Sequence, residues 1–172
     1  MNGHEREQRF GEIYLTMRDR LYRLCRGYLY EPAEAEDLFQ EVMANIWHSL
    51  PRFRGEAGLG TWAYRVAVNT ALLYNRQLIR RRPSWEPDMP VPVTPSPEDA
   101  ASRTQLLDRL RRCISRLSGA DRLLVSFLLE EMTYREMADI LGISVNHVGV
   151  RINRVKRKLE TCMRGNHGQH TD

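Results

Sequence analysis

Eight residues between Ser144 and Arg157 carry the chemistry to read a nucleic acid. Arg151, Arg154 and Arg157 offer guanidinium groups, Asn146 and Asn153 offer amides, Ser144 and His147 add smaller polar groups, and Val150 stands among them as an apolar contact. Arginine pairs with guanine or with a phosphate, and asparagine with adenine, in the groove of a duplex. Lys156 and Lys158 extend the basic run, and only Glu160 opposes it. A second group lies upstream. Trp62, Val66, Asn69 and Leu73 recur at three- and four-residue steps, with Arg65, Arg76, Arg80, Arg81 and Arg82 alongside and no acidic residue between Thr61 and Arg82. The glycine-punctuated stretch RFRGEAGLG, residues 52–60, precedes them. Aromatic rings mixed with arginines suit a single strand, whose bases stack or enter pockets while the arginines hold phosphates. Burial of Trp62 and Tyr64 in a core, with the arginines as a solvated helix end, accounts for the same pattern. The two readings stay open at this point.

These groups need helices to position them. Residues 133–159 read as two helices and a tight turn. Thr133 caps the first, Glu136 completes a capping box, and Met137, Ala138, Ile140 and Leu141 form its apolar face. Gly142 supplies the turn and Ser144 caps the second helix, in which Val148, Ile152, Val155 and Leu159 face inward. That is the layout of a helix-turn-helix with a recognition helix. Upstream, apolar spacing predicts helices over 6–30, 33–50 and 61–82, the last capped by Thr61, and then over 103–117 and from Ser118 onward. The second of these buries Leu38, Val42, Ile46 and Phe39, and its start is acidic, as a helix dipole prefers. Leu106, Leu107, Leu110, Ile114 and Leu117 predict the inner face of 103–117. Nothing reads as a strand. The expected fold is all-α, with two small helical domains at 1–82 and 101–164, a Pro-rich acidic linker at 83–100 and a disordered tail at 165–172. Six of the eight prolines fall within 83–98, where neither helix nor central strand can form.

Composition narrows the class. The 172 residues are 42% hydrophobic with a net charge of +4, which permits globular cores and a nucleic-acid partner without requiring one. Cys25, Cys113 and Cys162 are odd in number and widely spaced, which predicts reduced thiols in a cytoplasmic protein. No apolar run is long enough to span a membrane. No Ser/His/carboxylate grouping, phosphate-cradling glycine loop or paired metal-ligand motif appears, so no enzyme activity, cofactor or metal is expected. His167 and His170 belong to the polar tail.

Three stretches, AEDLFQEVMANIW from Ala35, FRGEAGLGTWAYRVAVNTA from Phe53, and the helix-turn-helix, resemble the extracytoplasmic-function (ECF) group of bacterial RNA polymerase sigma factors. Their order and spacing match over nearly the whole chain. The resemblance implies core-polymerase docking through Asp37, Leu38, Gln40, Glu41 and Trp47 on the clamp coiled coil of the largest subunit, with a further contact to the flap of the second-largest subunit. It implies that Phe53, Arg54, Trp62, Arg65, Val66 and Asn69 read the −10 element. One non-template base would be flipped into a pocket to which Phe53, Val66 and Asn69 correspond, while Arg65 holds the backbone. Ser144, Asn146, His147, Val150, Arg151, Asn153, Arg154 and Arg157 would read the −35 element of promoter DNA. An extended linker of about 50 Å, at roughly 3.1 Å per residue, would bridge the two elements. An anti-sigma factor is the expected inhibitor. Gly149 departs from the family pattern, where a basic residue is usual, as do Asn146-His147, Gly58 and Gly60. The alternative is a free-standing helix-turn-helix regulator on duplex DNA, although no receiver, ligand pocket or dimerisation helix accompanies it.

Overall fold

The computed structural model describes residues 2–29, 31–81 and 98–164, which form seven α-helices with no strand among them. In α1 (Gly3–Tyr28) Asn2 caps the start, its side chain accepting from the Glu5 amide at 2.7 Å. Ile13, Met17, Leu21, Leu24 and Tyr28 form its buried stripe, as their spacing predicts, while Tyr14 is exposed. The next helix, α2 (Pro32–Ser49), begins on Pro32. Proline suits that first position because the N–H it lacks would have no partner there. A single 3-10 turn, Leu50–Arg52, leads into the glycine loop. The third helix, α3 (Leu59–Arg81), starts two residues ahead of Thr61, so Thr61 lies in the first turn and does not cap it. Leu38, Val42 and Ile46 of α2 meet α1 and the small residues Ala63, Ala67 and Ala71 of α3 in one core.

The second half comprises α4 (Glu98–Ser115), α5 (Gly119–Leu129), α6 (Tyr134–Leu141) and α7 (Val145–Arg164). The start of α4 falls within the span expected to be linker; the rest of that linker and the tail at 165–172 lie outside the described residues. The inner face expected for α4 is only partly one. Leu106 and Leu107 are exposed and Leu110 is half-buried; Cys113 is buried and Ile114 packs on the core, as does Leu117 just past the helix end. Ser118 caps α5, accepting from the Asp121 amide at 3.2 Å. The capping box of α6 is complete: the Thr133 amide donates to Glu136 at 2.7 Å and the Glu136 amide donates to the Thr133 hydroxyl at 3.2 Å. Those bonds from Thr133 hold the Glu136 carboxyl below its usual range. Gly142 closes α6 in the left-handed region, φ 66°, where a Cβ would be strained. Ser144 accepts from the His147 amide at 3.2 Å and starts α7.

One expectation fails outright. Cys113 and Cys162, read from their spacing as separate reduced thiols, are joined as a disulfide across 49 residues, and only Cys25 is free. A separation of 49 residues hides the pairing, because only the packing of α4 on α7 brings the two together.

The halves are packed on each other. A continuous apolar core runs from α1–α3 into α5, α6 and α7, with α5 seated on α1 and α6 on α3. The Tyr64 and Phe127 rings meet edge-on across this seam at 6.5 Å. Two close approaches set its spacing: a Cβ on Gly27 would lie 2.8 Å from the Ser126 hydroxyl, and one on Gly119 would lie 2.5 Å from the Tyr28 hydroxyl. Polar contacts rim the seam. Arg23 grips Glu130 with two bonds of 2.6 and 2.9 Å, and Arg122 donates to Asn75 at 2.8 Å. Burial of each large apolar side chain contributes about 1.5–3 kcal/mol, whereas the Arg23–Glu130 pair, its guanidinium in water, is screened and contributes far less. The apolar seam therefore does most of the holding.

Candidate nucleic-acid interface

The glycine loop and the start of α3 form a pocket of about 360 Å³ lined by Arg52, Phe53, Arg54, Glu56, Trp62 and Arg65, among others. The 3-10 turn aims Phe53 inward, and the Phe53 and Trp62 rings stand 5.2 Å apart at 53°. The Arg9 guanidinium lies 5.5 Å from the Phe53 ring centre, so cations approach from two sides. Two tilted rings beside arginines can take a planar base edge-on and hold its phosphate. Trp62 answers to both earlier readings, since it packs on the core and also lines the pocket. Tyr64 is buried, so the core reading holds for it. The pocket gathers Phe53, Arg54, Trp62 and Arg65; Val66 and Asn69 fall outside its lining, Val66 half-buried and Asn69 exposed further along α3. Arg52 and Glu56 join it without having been singled out. Their place in a short loop gave no periodic signal.

Arg65 is already engaged. Its Nε and Nη2 donate to the Asp139 carbonyl of α6 at 2.9 and 2.7 Å. The side chain expected on a DNA backbone is here a rivet between the two halves.

On α7, Ser144, Asn146, His147, Val150, Asn153, Arg154 and Arg157 are all exposed, and Val148, Ile152 and Val155 turn inward. Arg151 is half-buried and faces Asp121 at 3.7 Å. Asp121, 2% exposed at the start of α5, also meets Lys158 at 2.7 Å and Arg154 at 3.7 Å. Burial pushes its carboxyl upward, but the Lys158 ammonium, the Ser118 hydrogen bond and Arg154 together outweigh that and hold it below the usual carboxylate range. Asp121 thus sets the resting position of three cations of the recognition helix. Sequence reasoning missed it, because locally it is only an acid in a first turn.

The α2 surface divides similarly. Asp37 and Gln40 are exposed and Glu41 half-exposed, which leaves a polar acceptor face open. Leu38 does not belong to it. At 0% exposure it faces α1 and α3 in the core, so it cannot touch a partner. Trp47 is half-covered, with Phe10 edge-on at 5.3 Å and the Arg6 guanidinium 3.9 Å over its ring. Among the described residues no helix is long and apolar enough to cross a membrane, and no cluster of three or more potential metal ligands occurs.

Residues 13–82 match the family Sigma-70 region 2, and residues 107–159 match Sigma-70, region 4. The chain is therefore a sigma factor of the sigma-70 family, a transcription-initiation protein. It belongs to the ECF group of that family. Among similar proteins, the ECF RNA polymerase sigma factor SigW of Bacillus subtilis is 27% identical over 169 residues, covering 90% of this chain and 89% of the relative. The ECF RNA polymerase sigma-E factor of Escherichia coli is 29% identical over 143 residues, covering 76% and 75%. The sigma factor RpoE, solved with the anti-sigma factor NepR from Bartonella quintana, shares the fold at a TM-score of 0.65 and 19% identity, covering 90% of this chain and 96% of that one. CnrH, solved with the cytosolic domain of CnrY, superposes at 0.63 with 23% identity over 91% and 88%. With a region 2 match in the upstream half, the free-standing regulator is not favoured.

Proposed function

We propose that this sigma factor works in the cytoplasm by docking α2 on the clamp of core polymerase through Asp37, Gln40 and Glu41. The Phe53–Trp62 pocket takes a −10 base, and the exposed face of α7 reads the −35 duplex. An unstacked base costs a few kcal/mol to extract, and a fitted aromatic pocket with arginines offsets that cost. The observation that carries this reading furthest is the position of Arg65, which lines the pocket and donates twice to Asp139. The Nε–Nη2 edge that grips that carbonyl is also the edge that binds a phosphate with two parallel bonds, so two-pronged strand capture by Arg65 and closure of the two halves compete. The closed arrangement is the resting form, and polymerase selects the open one. An anti-sigma partner of the kind seen with RpoE would act by favouring closure. Residues 1–82 and 101–164 are the two working units, with 83–100 as the tether.

The test is reconstitution. Purified chain and core polymerase should form a stable complex without DNA and start transcription from specific promoters. Arg65→Ala should weaken capture of a −10 single strand by holoenzyme while core association persists. Tight duplex binding by the chain alone, with no association to core, would overturn the docking proposal.

A further inference from the structure

The bridge between Cys113 and Cys162 sits where α4 is thinly held. The two Cα atoms are 5.8 Å apart, within the span a disulfide accepts without backbone movement. Cys113 is 4% exposed on the inner side of α4, while Cys162, near the end of α7, is half-buried. Leu106 and Leu107, on the turns before the bridge, are about half exposed. Arg109, one turn before Cys113, donates to the Met163 carbonyl, which brings a cation beside the turn that carries Cys162. The third cysteine is set apart: Cys25 is 1% exposed within α1, and burial pushes its thiol up to about 12. It stays protonated at neutral pH and out of the exchange.

In a cell interior, soluble thiols keep most cysteines reduced, so a pairable dithiol there is transient and signals rather than staples. We propose that Cys113 and Cys162 form a reversible oxidation site, closed by a hydroperoxide and reopened by a dithiol reductant, that fastens α4 to the recognition helix. Its cellular setting rests on the cytoplasmic reading above; its chemistry does not. Cys162 is the sulfur a small oxidant reaches. Its thiolate attacks the peroxide oxygen, the O–O bond breaks, and the departing oxygen takes up a proton to leave as water or alcohol. The Cys162 sulfenic acid is then attacked by the Cys113 thiolate; the S–S bond forms and the hydroxyl leaves as water. Two thiols have lost two electrons and one hydroperoxide has gained them. Thiol–disulfide exchange with a dithiol, itself oxidised to a disulfide, restores both cysteines.

Closure has a defined effect. It encloses α5, α6 and the exposed reading face of α7 in one covalent loop, restricting the unfolded state of the −35 reader. The reader is firmest under peroxide and loosens at the α4–α7 contact on reduction. The full-length protein is treated with stoichiometric hydrogen peroxide or with dithiothreitol, then quenched, denatured and alkylated with a mass tag. One free thiol is expected after peroxide and three after reductant. The oxidised protein should melt several degrees above the reduced protein, and Cys113→Ser and Cys162→Ser should each show a single melting temperature under both treatments. Three free thiols after peroxide, or coincident melting of the oxidised and reduced wild type, overturns the proposal. Core-polymerase association measured on the same samples separates the two ideas: its absence in both redox states counts against the docking reading and leaves the thiol counts standing.

Discussion

Asp121→Asn removes one charge from the centre of the proposed −35 reader, and the consequences can be worked from its contacts. The carboxylate is nearly enclosed and meets Lys158 at 2.7 Å, with Arg151 and Arg154 each at 3.7 Å. Breaking a fully buried ion pair costs about 3–5 kcal/mol. That figure must be reduced here, because the Lys158 and Arg154 side chains are 47% and 60% exposed and water screens them. One charge-assisted bond lost from a half-screened site leaves about 2 kcal/mol. For a chain of this size that lowers the melting temperature by about 4–8 °C. The pH dependence has a definite sign. The folded pKa of Asp121 lies below its unfolded value, so its contribution is present above the usual aspartate range, near 3.8, and is lost as pH falls through the folded value. Wild-type stability should therefore fall more steeply than that of the variant on acidification below about pH 5. Binding to duplex should change too. Three released cations would reach for phosphates indiscriminately, so affinity for random duplex rises, preference for the −35 sequence falls, and the slope of log K against log salt steepens by about 0.9 per added phosphate contact. Urea melts at two pH values and a salt titration of duplex binding measure all three effects. Equal stability of variant and wild type at pH 7, with an unchanged salt slope, would refute the role given to Asp121.

Other expectations follow from the same geometry. Asp37→Arg with Glu41→Arg should abolish core association, read by co-elution with polymerase, while the circular dichroism melt stays within about 0.5 kcal/mol of wild type, as for surface changes generally. Asn69→Ala, on the exposed face of α3, should lower discrimination among −10 sequences in run-off transcription without weakening the core complex; unchanged promoter choice would remove Asn69 from the site. Gly149→Ala should stabilise the fold by about 1 kcal/mol. A Cβ there would meet the Tyr134 ring at 3.6 Å, ordinary contact distance, so a melting temperature at or below wild type would count against this account.

What could be read from the chain divides by range. The capping box of Thr133 and Glu136, the left-handed Gly142 and the Ser144 cap are set by neighbours within a turn, and they stand where the residues put them. The exposed faces of α2 and α7 follow the 3.6-residue period for the same reason. Periodicity assigns a face, however, without saying what covers it. Leu38 lies beside the acidic face in sequence yet has no exposure, and Leu106 and Leu107 have the right spacing yet stay about half exposed. Asp121 acquires its three cations only when α7 crosses α5. The Cys113–Cys162 pairing likewise depends on a helix crossing.

The seam at Gly27 and Gly119 has a consequence for occupancy of the polymerase. Each half contributes one glycine at a point of near-contact, Gly27 beneath the Ser126 side chain and Gly119 beneath the Tyr28 ring, so the closeness of the seam rests on two residues without side chains. In the proposed scheme only the open fraction of molecules engages core fully, and the apparent dissociation constant is then the intrinsic one divided by that fraction. Every 1.4 kcal/mol in the seam, roughly one buried side chain, therefore shifts the polymerase concentration needed for activity about tenfold. A methyl group at either glycine acts as a wedge, trading the dormancy of the free protein for earlier capture of the enzyme. Two missing side chains thus set how scarce free polymerase can become before this factor falls silent.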